Sequence, residues 1–176
     1  MSQNQHSKHF EMLFQPHMRA AYNLARWLTG DATAARDVVQ ESAVRAFRFL
    51  HRFDGGNAKA WLLSIVRTQS YSWLKAARAT NHLAIGDELA EDSALLGHNE
   101  TPEQLAICTQ NVALLQQALA NLPAAFRAVI VLKELEGMAY KDIAEIMDIP
   151  LGTVMSRLAR ARAMLSLEVH KLVPHA

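Results

Sequence analysis

Near its carboxyl end the chain carries two hydroxyl side chains and two arginines at helical spacing, and these side chains could contact nucleic acid. They are Thr153, Ser156, Arg157 and Arg160. A guanidinium can pair with a guanine edge through two hydrogen bonds or hold a phosphate, and a hydroxyl near a helix N-terminus can bond a phosphate oxygen. The pattern therefore predicts contact with DNA. The alternative is a solvated face of a helical hairpin, because arginines are common on protein surfaces.

The surrounding segment predicts a helix-turn-helix, the element that would place these side chains in a DNA groove. A short helix over 140–148 is broken at 149–152, and Thr153 is predicted to cap the longer second helix. Ala139 cannot cap the first helix, so Asp142 must bond its free amides or the missing cap costs about 1 kcal/mol. The apolar residues that recur on one side of the second helix predict its buried stripe: Val154, Leu158, Ala161 and Leu165.

A second candidate site combines the loop 51–57 with the basic helix that follows it. The loop mixes an aromatic ring with cations and glycines, and basic residues continue along the helix. Single-stranded DNA is bound by such mixtures, because bases stack on rings while cations follow the backbone. Trp61 and Trp73 lie among apolar neighbours at helical spacing and are predicted to be core residues. The loop is thus the better candidate for contact with bases.

A third candidate surface is acidic and polar. Asp37, Gln40 and Glu41 share one side of a helix whose other side is predicted to be interior. Acid and amide groups in an otherwise basic region suit a basic or polar protein partner better than DNA. A solvated face is the simpler alternative. The predicted interior side contains Ala35, Val38, Val39, Ser42, Ala46 and Phe49.

The elements that position these residues are all predicted to be helices, because apolar residues recur at helical spacing and glycine and proline are sparse. The expected fold class is all-α, with two helical domains at 1–80 and 101–176. A linker at 81–100 joins them, since this segment has glycines and acids but no periodic apolar stripe. Helices are predicted over 10–29, 32–51, 57–79, 102–121, 123–136, 140–148 and 152–170.

Charge divides unevenly along the chain. Residues 1–80 hold 11 Lys/Arg against 5 Asp/Glu, whereas residues 81–112 hold none against 6. A basic domain beside an acidic connector fits a domain that meets phosphates and a segment that does not.

The composition also excludes several classes of protein. The single cysteine cannot form an internal disulfide, and no N-terminal stretch has signal-peptide character, which favours a cytoplasmic protein. No apolar segment reaches the roughly 20 residues that span a bilayer, so no stable membrane insertion is expected. The histidines complete no zinc set, and no phosphate loop or nucleophile constellation is present. We expect neither a metal nor a cofactor, and no catalytic activity.

Three segments together resemble the signatures of extracytoplasmic-function (ECF) sigma factors of RNA polymerase. They are Asp-Val-Val-Gln-Glu-Ser at 37–42, Ala-Trp-Leu at 60–62 with Ile65 and Arg67, and Gly-Thr-Val-Met-Ser-Arg-Leu at 152–158 with Arg-Ala-Arg at 160–162. Their order and spacing both match, and the resemblance covers nearly the whole chain. The helix-turn-helix half is shared with many regulators, whereas the first two segments are much more specific.

The resemblance implies a transcription initiation factor that binds core RNA polymerase and directs it to promoters. Asp37, Gln40 and Glu41 correspond to the surface that docks on the clamp coiled coil of the largest subunit, and the second domain is implied to meet the β-subunit flap. An anti-sigma factor is the implied regulator. We further hypothesise that the free factor can close its two domains on each other through the linker.

The same resemblance assigns the DNA contacts. The loop from Arg52 to Lys59 corresponds to the element that captures a flipped base of the minus-10 motif, and Arg67 and Lys75 are implied to lie along the displaced strand. The second helix of the helix-turn-helix is implied to enter the major groove of the minus-35 element. The implied minus-10 residues are Arg52, Phe53, Asn57, Lys59, Arg67 and Lys75. The implied minus-35 residues are Thr153, Ser156, Arg157 and Arg160.

Two other functions remain open from the residues alone. A stand-alone helix-turn-helix regulator would bind duplex DNA through 123–170 without polymerase and use its N-terminal domain to sense a ligand or a partner. A structural adaptor would leave the arginine face unused, so that substitution of Arg157 and Arg160 would not alter promoter activity.

Overall fold

The structure is a computed structural model that describes the backbone of residues 3–80 and 102–173 and the side chains of residues 5–80 and 111–173. The predicted linker at 81–100 lies outside the described residues. All regular secondary structure in the described part is helical, which confirms the predicted fold class. No described helix is both long and apolar enough to cross a membrane.

Four helices form the first half of the chain: α1 (Gln3–Phe14), α2 (Met18–Thr29), α3 (Ala32–Arg48) and α4 (Ala58–Ala79). The prediction of one helix over 10–29 was wrong, because a 3₁₀ turn at Gln15–His17 separates α1 from α2. Pro16 lies in that turn, and a proline lacks the amide hydrogen that a continuous α-helix would use there. Helices α2, α3 and α4 pack on one another around a common core.

The second half contains α5 (Pro102–Ala120), α6 (Ala124–Ile130), α7 (Tyr140–Met147) and α8 (Leu151–Leu172). A π-helical turn, Val131–Leu135, continues α6. Helix α8 is the centre of this half, because α5, α6 and α7 all pack against it.

The two halves pack against each other in a closed arrangement in this structure. Helix α4 lies on α7, and α2 contacts α6 and the π-helical turn. Buried apolar residues from both halves, such as Leu63 and Ile146, belong to one continuous cluster. The surfaces of α2 and α4 that face the second half are therefore not free to contact another molecule in this arrangement.

Candidate nucleic-acid and polymerase interfaces

Helix α8 buries the apolar stripe expected of it. Val154, Leu158 and Ala161 are fully buried, and Leu165 is half-buried. The prediction that Thr153 caps this helix was wrong. The helix begins two residues earlier, after Pro150, whose carbonyl accepts the amides of Thr153 and Val154 at 3.0 and 3.1 Å. Thr153 is thus the third helical residue.

The four residues predicted to contact DNA on α8 differ in exposure. Ser156 and Arg160 are exposed, whereas Thr153 and Arg157 are half-buried. At 100° per residue Arg157 lies between the polar face and the buried stripe, which explains its partial burial. The Ser156 hydroxyl donates to the Thr153 carbonyl at 3.2 Å. The face of α8 that contains Ser156 and Arg160 is therefore open to a partner in this structure.

Arg157 lies close enough to a partly buried tyrosine of the first half, Tyr71, to act on it electrostatically. Burial raises the pKa of Tyr71 on α4, and the charges of Arg67, Arg157 and Arg127 partly oppose that rise. The guanidinium of Arg67 lies over the Tyr71 ring, 5.6 Å from its centroid. The Tyr71 hydroxyl is buried and has no hydrogen-bond partner. In the closed arrangement, arginines of α4, α6 and α8 therefore all act electrostatically on the Tyr71 phenol.

The loop before α4 has a fixed backbone shape. Gly55 has φ 84°, a conformation that disfavours other residues, and the Asp54 carboxylate accepts the Gly56 amide at 3.0 Å. The Asn57 side chain caps α4 by accepting the Ala60 amide at 3.1 Å. Asn57 therefore has a structural task besides the DNA contact predicted for it.

Two aromatic residues flank this loop in different environments. Phe53 is half-buried, with its ring centroid 5.9 Å from that of Phe14 and 5.4 Å from that of Trp61. Phe49, predicted to be interior, is 40% exposed; it is the C-cap residue that follows Arg48, the last residue of α3. The guanidinium of Arg52 lies over the Phe49 ring at 4.9 Å.

Phe49 is a candidate base contact that the sequence analysis missed. An exposed ring with a stacked guanidinium, next to a loop predicted to meet single-stranded DNA, is a typical stacking platform. The signal in the sequence was the Phe-Leu-His-Arg run at 49–52, which reads as a helix continuation unless the end of α3 is known.

Lys59 and Arg67, predicted to contact DNA, instead bond the second half of the chain. The Lys59 ammonium donates to the Glu136 carbonyl at 2.9 Å and lies 3.2 Å from the Glu136 carboxylate. Arg67 donates to the Met147 carbonyl at 3.1 Å. Burial, with a smaller effect from Lys59, lowers the pKa of the nearby His17. Lys75, farther along α4, is exposed.

Arg127 is the other main polar contact between the halves. One terminal nitrogen donates to the Trp27 carbonyl of α2 at 2.8 Å, and the other donates to the Ala120 and Leu122 carbonyls at 3.0 and 2.9 Å. Burial lowers the pKa of its guanidinium. Arg127 therefore joins α2 to the end of α5, a role that the sequence did not indicate.

The acidic and polar face of α3 is open. Asp37, Gln40 and Glu41 are exposed, while Ala35 and Val38 on the other side are buried. Glu41 pairs with Arg45 one turn later at 3.0 Å, with both side chains about half exposed. Such an exposed pair is worth little, so a partner could displace it.

No group of three or more histidine, cysteine, aspartate or glutamate side chains within the described residues is arranged to hold a metal ion.

The missing cap of α7 gives a stability prediction. Ala139 has the extended backbone of an N-cap, φ −68° and ψ 151°, but provides no cap hydrogen bond. Ala139→Ser is therefore expected to raise the free energy of unfolding by about 1 kcal/mol, measured by urea denaturation. Ala163→Ser, at an exposed position inside α8, is the control and should be neutral or slightly destabilising. Equal effects of the two substitutions would contradict the capping explanation.

Each half of the chain matches a known protein family. The Sigma-70 region 2 family model matches residues 13–80, and the Sigma-70, region 4 model matches residues 113–165. The chain is 38% identical over 146 residues to the ECF RNA polymerase sigma-E factor of Haemophilus influenzae, which is 78% of this chain and 75% of that protein.

Two solved structures superpose on both halves together. The sigma factor RpoE in complex with the anti-sigma factor NepR, from Bartonella quintana, has a TM-score of 0.73 and 27% identity, over 95% of this chain and 99% of that chain. CnrH in complex with the cytosolic domain of CnrY has a TM-score of 0.66 and 25% identity, over 94% and 90%. With the helix-turn-helix, the exposed α3 face and the two family matches, these similarities show that the chain belongs to the ECF family of RNA polymerase sigma factors.

Proposed function

We propose that this sigma factor recognises the minus-10 element through residues of the first half, 1–80, and the minus-35 element through α8 of the second half, 101–176. The observation that carries the assignment is the exposed polar face of α8, which follows a helix-turn-helix turn and presents Ser156 and Arg160. Thr153 and Arg157 flank that face and complete the proposed minus-35 surface.

The proposed minus-10 surface centres on the loop before α4. Arg52 and Asn57 are exposed there, and Phe53 is partly accessible beside Trp61. Lys59, Arg67 and Lys75 would follow the sugar-phosphate backbone along α4, since cations at intervals along one helix suit an extended strand. Lys59 and Arg67 are engaged by the second half in the closed arrangement, so they become available only when the halves separate.

On the polymerase, we assign docking on the clamp coiled coil of the largest subunit to Asp37, Gln40 and Glu41, and assign the β-subunit flap to the second half. The α3 face supports this assignment because Asp37, Gln40 and Glu41 are exposed, and the face is polar and acidic within a basic half. The factor supplies binding energy rather than catalysis, since tighter binding of the separated strand than of the duplex drives melting. It would act in the cytoplasm, where the polymerase works.

An anti-sigma factor is the proposed regulator. Two solved structures similar to this chain are an RpoE–NepR complex and a CnrH–CnrY complex, and the superposition covers both halves in each case. A partner that stabilises the closed arrangement would keep Lys59 and Arg67 away from DNA.

The test of the proposed function is run-off transcription from a genomic promoter library with purified core polymerase and the full-length factor. Specific transcripts that require the factor, with shared sequences upstream of their starts, are expected. Specific binding to duplex DNA without polymerase, and no transcripts from active core, would overturn the proposal in favour of a stand-alone regulator.

Phe49 gives a prediction for the minus-10 surface. Phe49→Ala should weaken holoenzyme binding to the single-stranded minus-10 segment about tenfold, because stacking on an aromatic ring is worth roughly 1–3 kcal/mol per base. Phe49→Tyr keeps the ring and should bind as the wild type does. Fluorescence anisotropy with a labelled non-template oligonucleotide measures both.

Met12→Ala is the matched control, since Met12 is another exposed apolar side chain of the first half, on α1. If Phe49→Ala binds the oligonucleotide like the wild type and like Met12→Ala, Phe49 does not contact a base.

A further inference from the structure

Glu136 bonds two helices of the first half at once. Its carboxylate lies 3.2 Å from the Lys59 ammonium of α4 through one oxygen, and accepts the Asn23 amide of α2 at 3.1 Å through the other. Its backbone carbonyl accepts Lys59 at 2.9 Å. The Glu136 side chain is only 8% exposed and the Lys59 side chain 25% exposed. Three polar contacts thus converge on one residue of the second half.

The position of Glu136 is fixed by its own helix end. It follows the π-helical turn, and its amide donates to the Val131 carbonyl at 3.0 Å. Gly137, with φ 63°, then turns the chain away in a conformation that other residues rarely adopt. The Glu136 side chain therefore emerges at a defined place, directed at α2 and α4.

The chemistry of this contact resembles that of a DNA phosphate. A phosphate is held in protein–DNA complexes by an ammonium and by neutral amide donors, and Glu136 receives both kinds of donor. Lys59 cannot direct the same protons to Glu136 and to a phosphate. A second contact of the same kind occurs at Arg67, which bonds the Met147 carbonyl two helical turns farther along α4.

We propose that Glu136 is an internal competitor for promoter DNA, a latch that holds the two halves closed by occupying Lys59 in place of a backbone phosphate. This inference rests on the proposed DNA-binding role of Lys59. The free factor is then largely closed and binds DNA weakly, and RNA polymerase favours the open form by binding both halves apart. The apparent affinity of the free factor for DNA is reduced by the fraction of molecules that are open.

The test compares the full-length wild type with Glu136→Gln. Glutamine keeps the acceptor for Asn23 but removes the charge that pairs with Lys59. Small-angle scattering should show a larger radius of gyration for the variant, and anisotropy should show about tenfold tighter binding of the free factor to a labelled thymidine homo-oligonucleotide. An unchanged radius of gyration and unchanged affinity would overturn the latch, as would opening with no gain in affinity.

Glu134→Gln is the matched control. Glu134 lies two residues away and pairs with Arg162 at 2.6 Å within the second half, and both side chains are about half exposed. This variant loses the same charge without touching the first half, so it should stay closed. If it tightens DNA binding as much as Glu136→Gln, the gain comes from net charge and the latch is wrong.

Two more variants separate opening of the halves from a gain in DNA affinity. Asn23→Asp opposes Glu136 with a second carboxylate from the other half, so it should open the factor even if Glu136→Gln does not fold well. Lys59→Gln should also open the factor, but without a gain in DNA affinity. If Lys59→Gln opens and binds DNA as tightly as Glu136→Gln, the Lys59–Glu136 contact holds the halves closed, but Lys59 does not contact DNA and the proposed competition with a phosphate is wrong.

Discussion

Replacing both Gln40 and Glu41 by alanine is expected to reduce run-off transcription by about ten- to a hundredfold while leaving the fold intact. Both side chains are exposed on α3, so their loss should not disturb the core, but it removes two polar contacts to the polymerase. Contacts that involve a charged group are worth roughly 1.5–3 kcal/mol each, enough for this loss. Transcription at limiting factor and pull-down of core polymerase measure the effect.

The control for this pair is Glu11→Ala with Gln15→Ala. Glu11 and Gln15 are likewise an exposed acid and an exposed amide of the first half, but Glu11 lies in the last turn of α1 and Gln15 begins the 3₁₀ turn after it, so neither belongs to α3. Full activity of the control and loss in the α3 variant would support docking through α3. Equal activity of both variants would mean that the polymerase binds another surface.

Arg160→Ala is expected to lower transcription about tenfold or more from promoters that depend on the minus-35 element. One bidentate arginine–guanine pair is worth roughly 1–3 kcal/mol of discrimination against other bases. Adding Arg157→Ala should deepen the loss, because opening of the halves frees Arg157 from the neighbourhood of Tyr71. The measurement is transcription from templates with an intact or a scrambled minus-35 element.

Base recognition is identified when the effect of scrambling the minus-35 element depends on whether the arginines are present. The wild type should lose activity when the element is scrambled, whereas the double variant should be insensitive to the scrambling. Arg162→Ala is the control, since Arg162 is held by Glu134 at 2.6 Å and should not read the element. If Arg157→Ala with Arg160→Ala transcribes like the wild type, α8 is structural and the adaptor hypothesis gains support.

Local sequence signals predicted the individual helices well where a pattern and a breaker coincide. The predicted helix at 140–148 is Tyr140–Met147, and that at 57–79 is Ala58–Ala79. Asn57 at one start and the Pro-Leu-Gly turn after the other helix explain this accuracy, because caps and turns depend only on neighbouring residues.

The wrong predictions lie at helix ends, where the local sequence is compatible with more than one end point of the helix. Phe49 continues the spacing of the buried side of α3, but the helix ends one residue earlier and the ring becomes exposed. Thr153 is a favourable cap residue, yet Pro150 is the N-cap of α8, and its carbonyl accepts the amides of Thr153 and Val154. Spacing predicts which residues share a face, but the end of a helix decides whether that face continues.

The all-helical fold, the helix-turn-helix, the exposed α3 face and the family could be predicted from the residues, since these depend on periodicity and on short motifs. The roles of Lys59, Arg67, Arg127 and Glu136 became visible in the packing of the two halves. The bonds from Lys59 to Glu136, from Arg67 to Met147 and from Arg127 to Trp27 join residues that are 77, 80 and 100 positions apart. All three bonds end on backbone carbonyls, which every residue has, so the sequence does not indicate them. A lysine or arginine on α4 occupies the same position in the sequence pattern whether its side chain binds a phosphate or a carboxylate. Its partner is set by how the halves pack.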